Sequence, residues 1–173
     1  MPESPGAALS VAALFAERES RRQREQEAEE QLRRKQEEEL AHFKERLDDF
    51  QLTEARVHVF LDRIRRAFDR GETELMLTSF PSSFCTDGGR AVNNADLPPL
   101  NKPGRGEQGQ GRREPDWLVT MPAGARVVYE YWKSHLEPGG FRLSARVINY
   151  QGGMPGDVGL FLSWPKNAMD ARS

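Results

Sequence analysis

The densest group of side chains able to do chemistry lies in residues 82–94, with the sequence SSFCTDGGRAVNN. Within it, Cys85 is a candidate nucleophile. A free thiol is only slightly ionised at neutral pH, so it would need a base, and His135 is the only histidine in the second half of the chain. The alternative is that Cys85 is a small buried filler, which is how most free cysteines behave. The sequence leaves both interpretations open.

The same segment offers a candidate anion site at Gly88, Gly89 and Arg90. Two glycines allow backbone N–H groups to converge on a phosphate or carboxylate, and an arginine would supply the opposite charge. The alternative is a tight turn in which Asp87-Gly88-Gly89 only reverses the chain. Neither the P-loop pattern nor the dinucleotide-binding glycine pattern is present in this segment.

Metal binding is not expected. The three histidines, His42, His58 and His135, lie far apart, and no pair has the spacing of two ligands on one helix. No motif indicates a cofactor, so we expect none.

Nucleic-acid binding is a weaker alternative, which would require arginines and lysines from three parts of the chain to form one basic path. The net charge of −2 and a pI near 6.0 do not favour it. The residues concerned are Arg63, Arg65, Arg66 and Arg70 in one helix, Lys102, Arg105, Arg112 and Arg113 in a polar segment, and Arg142 and Arg146 in a strand.

The elements that carry these groups follow a long charged segment. Residues 11–52 contain neither Pro nor Gly and are rich in Glu, Gln, Arg and Lys, which predicts a helical arm or short coiled coil. Ser10 is its predicted N-cap. An apolar seam runs along its end, at positions spaced 3, 4 and 3 residues apart: Leu40, Phe43, Leu47 and Phe50. This spacing predicts pairing with a second helix, from another copy or from a partner protein.

Residues 53–166 are predicted to form an α+β domain with a flexible insert at residues 95–116. The patterns indicate a helix capped by Thr53, a strand, a long loop, a helix and a β-hairpin. We expect the first two strands to be parallel and joined by a right-handed crossover, which with the hairpin makes a three-stranded mixed sheet. The helices would cover one face of this sheet and complete a two-layer sandwich. The predicted segments are 53–70, 74–80, 120–136, 141–150 and 157–164.

The two ends, residues 1–10 and 167–173, are predicted to be disordered. The apolar stretch Gly6 to Ala16 follows an acidic residue and is too short to span a membrane, so we expect neither a signal peptide nor a membrane segment. A single cysteine, Cys85, suits a reducing compartment, and a cytoplasmic location is expected.

These observations favour a non-enzymatic protein-interaction or scaffold module with a coiled-coil-like arm. Its expected partner is another protein, or a second copy bound through the N-terminal helix. A small enzyme or anion-binding domain that uses the Ser82–Asn94 loop is the alternative.

Overall fold

The computed structural model describes residues 9–95 and 114–168. The predicted flexible insert and both predicted disordered ends therefore lie mostly outside the described residues. The chain divides into two compact units between Phe43 and Lys44. The first helix, α1, spans Val11–Asp48, so its last residues, from Lys44 on, belong to the second unit.

The first unit is the part of α1 up to Phe43. The Ser10 hydroxyl accepts a hydrogen bond from the Ala13 amide at 3.0 Å, which confirms Ser10 as the N-cap. Ion pairs between side chains one turn apart support the helix, such as Arg34 with Glu30 at 2.7 Å. No residue of α1 is buried, as expected for a helix that is charged on all sides.

The second unit contains further helices and a small sheet, so the chain has an α+β fold. The helices are α2 (Glu54–Asp69), α3 (Arg90–Ala95) and α4 (Ala123–Tyr131), and α4 continues as a π-helical turn, Trp132–Leu136. Short 3-10 turns lie at Ser82–Phe84, Leu118–Thr120 and Glu137–Gly139. The strands are β1 (Glu74–Pro81), β2 (Arg142–Val147), β3 (Tyr150–Gln151), β4 (Met154–Pro155) and β5 (Asp157–Ser163).

The ends of α2 are those that the sequence predicts. The Thr53 hydroxyl accepts from the Arg56 amide at 3.4 Å at the first turn. Gly71, with φ of 79°, ends the helix in the left-handed region that favours glycine, and the Glu72 amide donates to the Ala67 carbonyl. Between these ends, Ile64 and Ala67 are buried against the domain.

The main sheet has the strand order β1-β5-β2, and both strand pairs are antiparallel. The predicted hairpin of β2 and β5 is therefore confirmed, whereas the prediction of a mixed sheet is wrong. The reason is that the last strand, β5, lies between β1 and β2, which run parallel to each other without being neighbours. A second hairpin, β3 with β4, interrupts the connection from β2 to β5.

The core lies on one face of this sheet. Leu160 and Leu162 of β5 are almost fully buried, and Leu143 and Ala145 pair with them from β2. By contrast, Phe60 of α2 and Val128 of α4 are only half-buried. The two helices therefore do not close completely over the sheet.

Other parts of the second unit differ from the predicted elements. Residues 90–95, expected within a loop, form the short helix α3. The predicted helix 120–136 begins only at Ala123, and the Thr120 hydroxyl donates to the Trp117 carbonyl at 2.7 Å. The domain, predicted to start at residue 53, extends back to Lys44.

Candidate functional site

The side chains of residues 82–94 mostly hold this segment in place. The Ser82 hydroxyl donates to the Pro155 carbonyl at 2.7 Å, and the Tyr150 hydroxyl donates to the Asn93 amide oxygen at 2.6 Å. Val92 is fully buried and anchors α3. These groups therefore have structural partners, although their residue types suggest chemistry.

The thiol of Cys85 is poorly suited to nucleophilic attack. Cys85 is 4% exposed, and burial, together with the nearby Asp87 carboxylate, raises its pKa from 9.0 to about 11, while a hydrogen bond with Thr120 opposes the shift. His135 is exposed and stacks on Tyr131, with ring centroids 4.6 Å apart. These surroundings favour the neutral thiol, as expected for a cysteine that serves as a small buried filler.

The Asp87-Gly88-Gly89 turn supplies its own anion. Gly88 and Gly89 have φ values of 68° and 84°. The Asp87 carboxylate accepts from the Gly89 amide at 3.0 Å and from the Ala91 amide at 2.8 Å, so it caps α3. The Gly88 amide donates to the Cys85 carbonyl at 3.1 Å. Since these amides already have acceptors, the geometry favours the turn over an anion site that includes Arg90.

Several of the basic residues that the structure describes are paired with carboxylates. Arg66 pairs with Asp62 at 3.6 Å, and Arg70 makes a two-bond contact with Glu72 at 3.0 and 3.1 Å. Arg146 pairs with Glu74 and lies 3.9 Å from the centre of the Phe161 ring. Pairing with carboxylates reduces the charge available to phosphates. Lys102, Arg105, Arg112 and Arg113 lie outside the described residues.

No cluster of three or more potential metal ligands occurs within the residues that the structure describes. His58 is exposed on α2, and His42 is exposed on α1. The prediction of no metal site stays a prediction.

A cavity lies elsewhere, above the buried face of the sheet, and we refer to it as the cleft. Its volume is about 470 Å³, within the range of ligand-binding pockets in general. Its floor includes Leu77 and Phe80 of β1 and Leu160 of β5, and its two long walls are α2 and α4. No residue of 82–94 lines it.

Two contacts define the ends of the cleft. Near the start of α4, a Cβ atom placed on Gly124 would lie only 2.1 Å from the Leu47 carbonyl oxygen and 2.8 Å from Cβ of Phe50. Only glycine therefore allows the chain at residues 47–50 to approach α4 this closely. At the last residue of α4, the Tyr131 ring meets Phe60 edge to face, with centroids 6.1 Å apart.

A polar contact fixes the first of these ends. The Asp48 carboxylate accepts from the Ala123 amide at 3.0 Å and from the Lys44 ammonium at 2.7 Å. The bond from Lys44 and, to a smaller extent, the bond from Ala123 lower the pKa of Asp48 from its ordinary value. The N-cap position of α4 is Pro122, whose side chain makes no capping hydrogen bond, so Asp48 caps the first turn of α4 from another part of the chain.

The predicted apolar seam on α1 is divided by this arrangement. Leu47 and Phe50 line the cleft, and α1 ends at Asp48, before Phe50. Leu40 and Phe43 belong to the first unit, where Leu40 is 44% exposed. The pattern of four residues therefore serves two different environments.

Among the described residues, the lining of the cleft is apolar except for a few groups, and the charged residues in it are Arg56 and Arg63. The described lining contains no Cys, His, Asp or Glu side chain, so it suits binding rather than acid–base or nucleophilic chemistry. Sequence reasoning missed this site because its apolar residues have the same periodicity as core residues. Gly124, unusual within a helix, was the available signal.

Comparisons of this chain with protein-family models, with curated proteins and with solved structures find no match. Among the described residues, no helix combines the length and the apolar character needed to cross a membrane.

Proposed function

We propose that the protein is a non-enzymatic interaction module whose α+β domain binds apolar side chains of a protein partner in the cleft. The observation that carries this proposal is an apolar cavity of about 470 Å³ that reaches the sheet between two helices. Burying a large apolar side chain there would contribute about 1.5–3 kcal/mol.

The chemistry of the domain supports binding over catalysis. The groups that suggested an enzyme lie in residues 82–94, where Cys85 is buried with a raised pKa and Asp87 caps a helix. None of them lines the cleft. An activated nucleophile would need the opposite shift in pKa and access to a substrate.

The arm has a separate role in the proposal, as a self-association or tethering element. Besides Leu40, three apolar residues in its first turns are exposed: Val11 at 70%, Leu14 at 46% and Phe15 at 56%. They are spaced as i, i+3 and i+4, the pattern of anchors on one helix face. A cytoplasmic location, consistent with one cysteine, completes the proposal.

Filling the cleft tests its role. The Ala55→Phe variant places a large ring at an exposed position of α2 that lines the cleft, and His58→Phe places the same ring on the same helix outside it. A displayed library of random 16-residue peptides, selected on the full chain, provides the probe. We expect the selected peptides to lose at least about 10-fold in affinity for Ala55→Phe, the equivalent of 1.4 kcal/mol, and to bind His58→Phe normally. Selected peptides that bind both variants equally would contradict the proposal.

A further inference from the structure

Two arginines of α2 lie at the cleft and seven residues apart, at Arg56 and Arg63. Seven residues correspond to about 10 Å along a helix axis, so both guanidinium groups lie along the same wall. Val59, which is 62% exposed, lies between them and also lines the cleft. The wall therefore presents a cation, an apolar side chain and a second cation in order.

Within the part of the chain that the structure describes, both arginines bond to backbone carbonyls and not to carboxylates. Arg56 donates to the Gln51 carbonyl at 2.7 Å and lies 5.2 Å from the centre of the Phe50 ring. Arg63 donates to the Met76 carbonyl at 3.0 Å. Across the described parts of the chain, neither guanidinium forms an ion pair with a carboxylate, and the cleft lining contains no Asp or Glu.

Other arginines nearby behave differently. Arg66 and Arg70, further along the same helix and at its end, pair with Asp62 and Glu72. Arg65 also forms no ion pair among the described residues, but it does not line the cleft. Arg56 and Arg63 are therefore the unpaired arginines of this helix that lie at the cleft. The backbone bonds of Arg56 and Arg63 also orient these side chains, while each guanidinium keeps further N–H donors for another acceptor.

We propose that the occupant of the cleft is an amphipathic segment of a partner protein in which acidic residues flank the apolar anchor. The apolar anchor would enter between α2 and α4, and carboxylates on either side would pair with Arg56 and Arg63. Arginine suits this role because its planar group binds a carboxylate through two parallel hydrogen bonds. This inference depends on the proposed function and adds the charge of the partner.

Arg56 and Arg63 are exposed at the edge of the cleft, and this position determines which measurement reveals their contribution to peptide binding. Charges at the edge of an interface act mainly on the association rate and on the dependence of binding on salt. An acidic peptide should therefore bind faster and tighter at low ionic strength, and the advantage should shrink as salt shortens the range of the interaction.

The peptide library selected on the full chain tests this directly. We expect its cleft-dependent members, those that Ala55→Phe weakens, to be enriched in Asp and Glu next to Phe, Leu or Trp. A synthetic member should bind about 10-fold tighter than its twin with each Glu replaced by Gln at low salt, a difference of about 1.4 kcal/mol. The double variant Arg56→Gln/Arg63→Gln should remove that difference, while Arg66→Gln, a change at an acid-paired arginine of the same helix, should preserve it.

The contrary outcomes are distinct. Cleft-dependent peptides without acidic enrichment would overturn the charge inference and leave the proposed function intact. A library without any cleft-dependent peptide would overturn both. If sedimentation shows that the chain alone forms dimers that Ala55→Phe dissociates and His58→Phe does not, the occupant is a second copy and the partner proposal is wrong.

Discussion

The segment 82–94, predicted as a loop and called the loop below, and the cleft between α2 and α4 have opposite characters in sequence and in structure. The loop is rich in polar and reactive residues, yet Ser82, Cys85 and Asp87 are occupied by contacts within the domain. The cleft is built from residues such as Phe60 and Val128, which resemble ordinary core, yet it is open. Residue type alone therefore indicates which groups are capable of chemistry, and the packing decides which surface is available.

The largest expected effect comes from the floor of the cleft, which is also the centre of the fold. Leu160 is 1% exposed, so Leu160→Asp would bury an unpaired charge and cost more than about 4 kcal/mol. We expect loss of the cooperative thermal transition, measured by circular dichroism. The control is Met154→Asp, at a residue that is 68% exposed, which should melt like the parent chain. A normal transition for Leu160→Asp would contradict the assigned facing of β5.

The next effect tests whether residues 44–50 belong to the domain. A fragment beginning at residue 44 retains Leu47, Asp48 and Phe50, whereas one beginning at residue 51 loses the apolar contacts and the cap of α4. We expect the shorter fragment to be less stable by about 2–4 kcal/mol, as measured by urea unfolding. Equal midpoints would place the domain boundary after residue 50.

The contrast between loop and cleft also predicts an inert thiol. A pKa of about 11 for Cys85, compared with 9.0, lowers the thiolate fraction near pH 7 by about 100-fold. Reaction with a disulfide reagent should therefore be at least about 100-fold slower in the folded chain than in urea. A folded-state rate equal to or above that of free cysteine would restore Cys85 as a nucleophile.

The same raised pKa has a consequence for stability. The folded state keeps the proton of Cys85 while the unfolded state releases it near pH 9.0, so this contribution to stability is complete below that pH. It is lost as the pH rises towards about 11. Cys85→Ala should reduce the decline of the urea midpoint between these two values, and an unchanged decline would contradict the assignment.

A smaller effect is expected at the end of the cleft. Gly124→Ala would push its new methyl group against the Leu47 carbonyl and Phe50, and we expect a loss of about 1–3 kcal/mol. Gly139→Ala is the matched control, since its Cβ would meet only the Phe141 ring at 3.7 Å or more. Equal urea midpoints for the two variants would mean that residues 47–50 do not approach α4 as described.

Local signals in the sequence were sufficient for much of the fold. The caps Ser10 and Thr53 and the hairpin of β2 and β5 follow from hydrogen-bonding side chains and from period-two alternation. These features depend on residues close together in the chain. The α+β class follows from the order of the predicted helices and strands along the chain.

Features that depend on contacts between residues far apart in the chain could not be predicted from local sequence patterns. The position of β5 between β1 and β2 is a choice among pairings that the strand pattern does not distinguish. Leu47 and Phe50 have the spacing of a coiled-coil seam, and the same spacing serves packing against α4. The cleft results from that non-local contact, so its location could not be read from helical periodicity alone.

Methyl NMR of the full chain, recorded during titration with a selected acidic peptide, tests most directly whether the cleft is the binding site. Val59 and Val128 line the cleft, whereas Val92 is a buried residue of α3 within the 82–94 segment. We predict that the methyl signals of Val59 and Val128 shift in a saturable way while those of Val92 do not move. Saturable shifts at Val92, with Val59 and Val128 unchanged, would show that the loop is the binding site and the cleft is not.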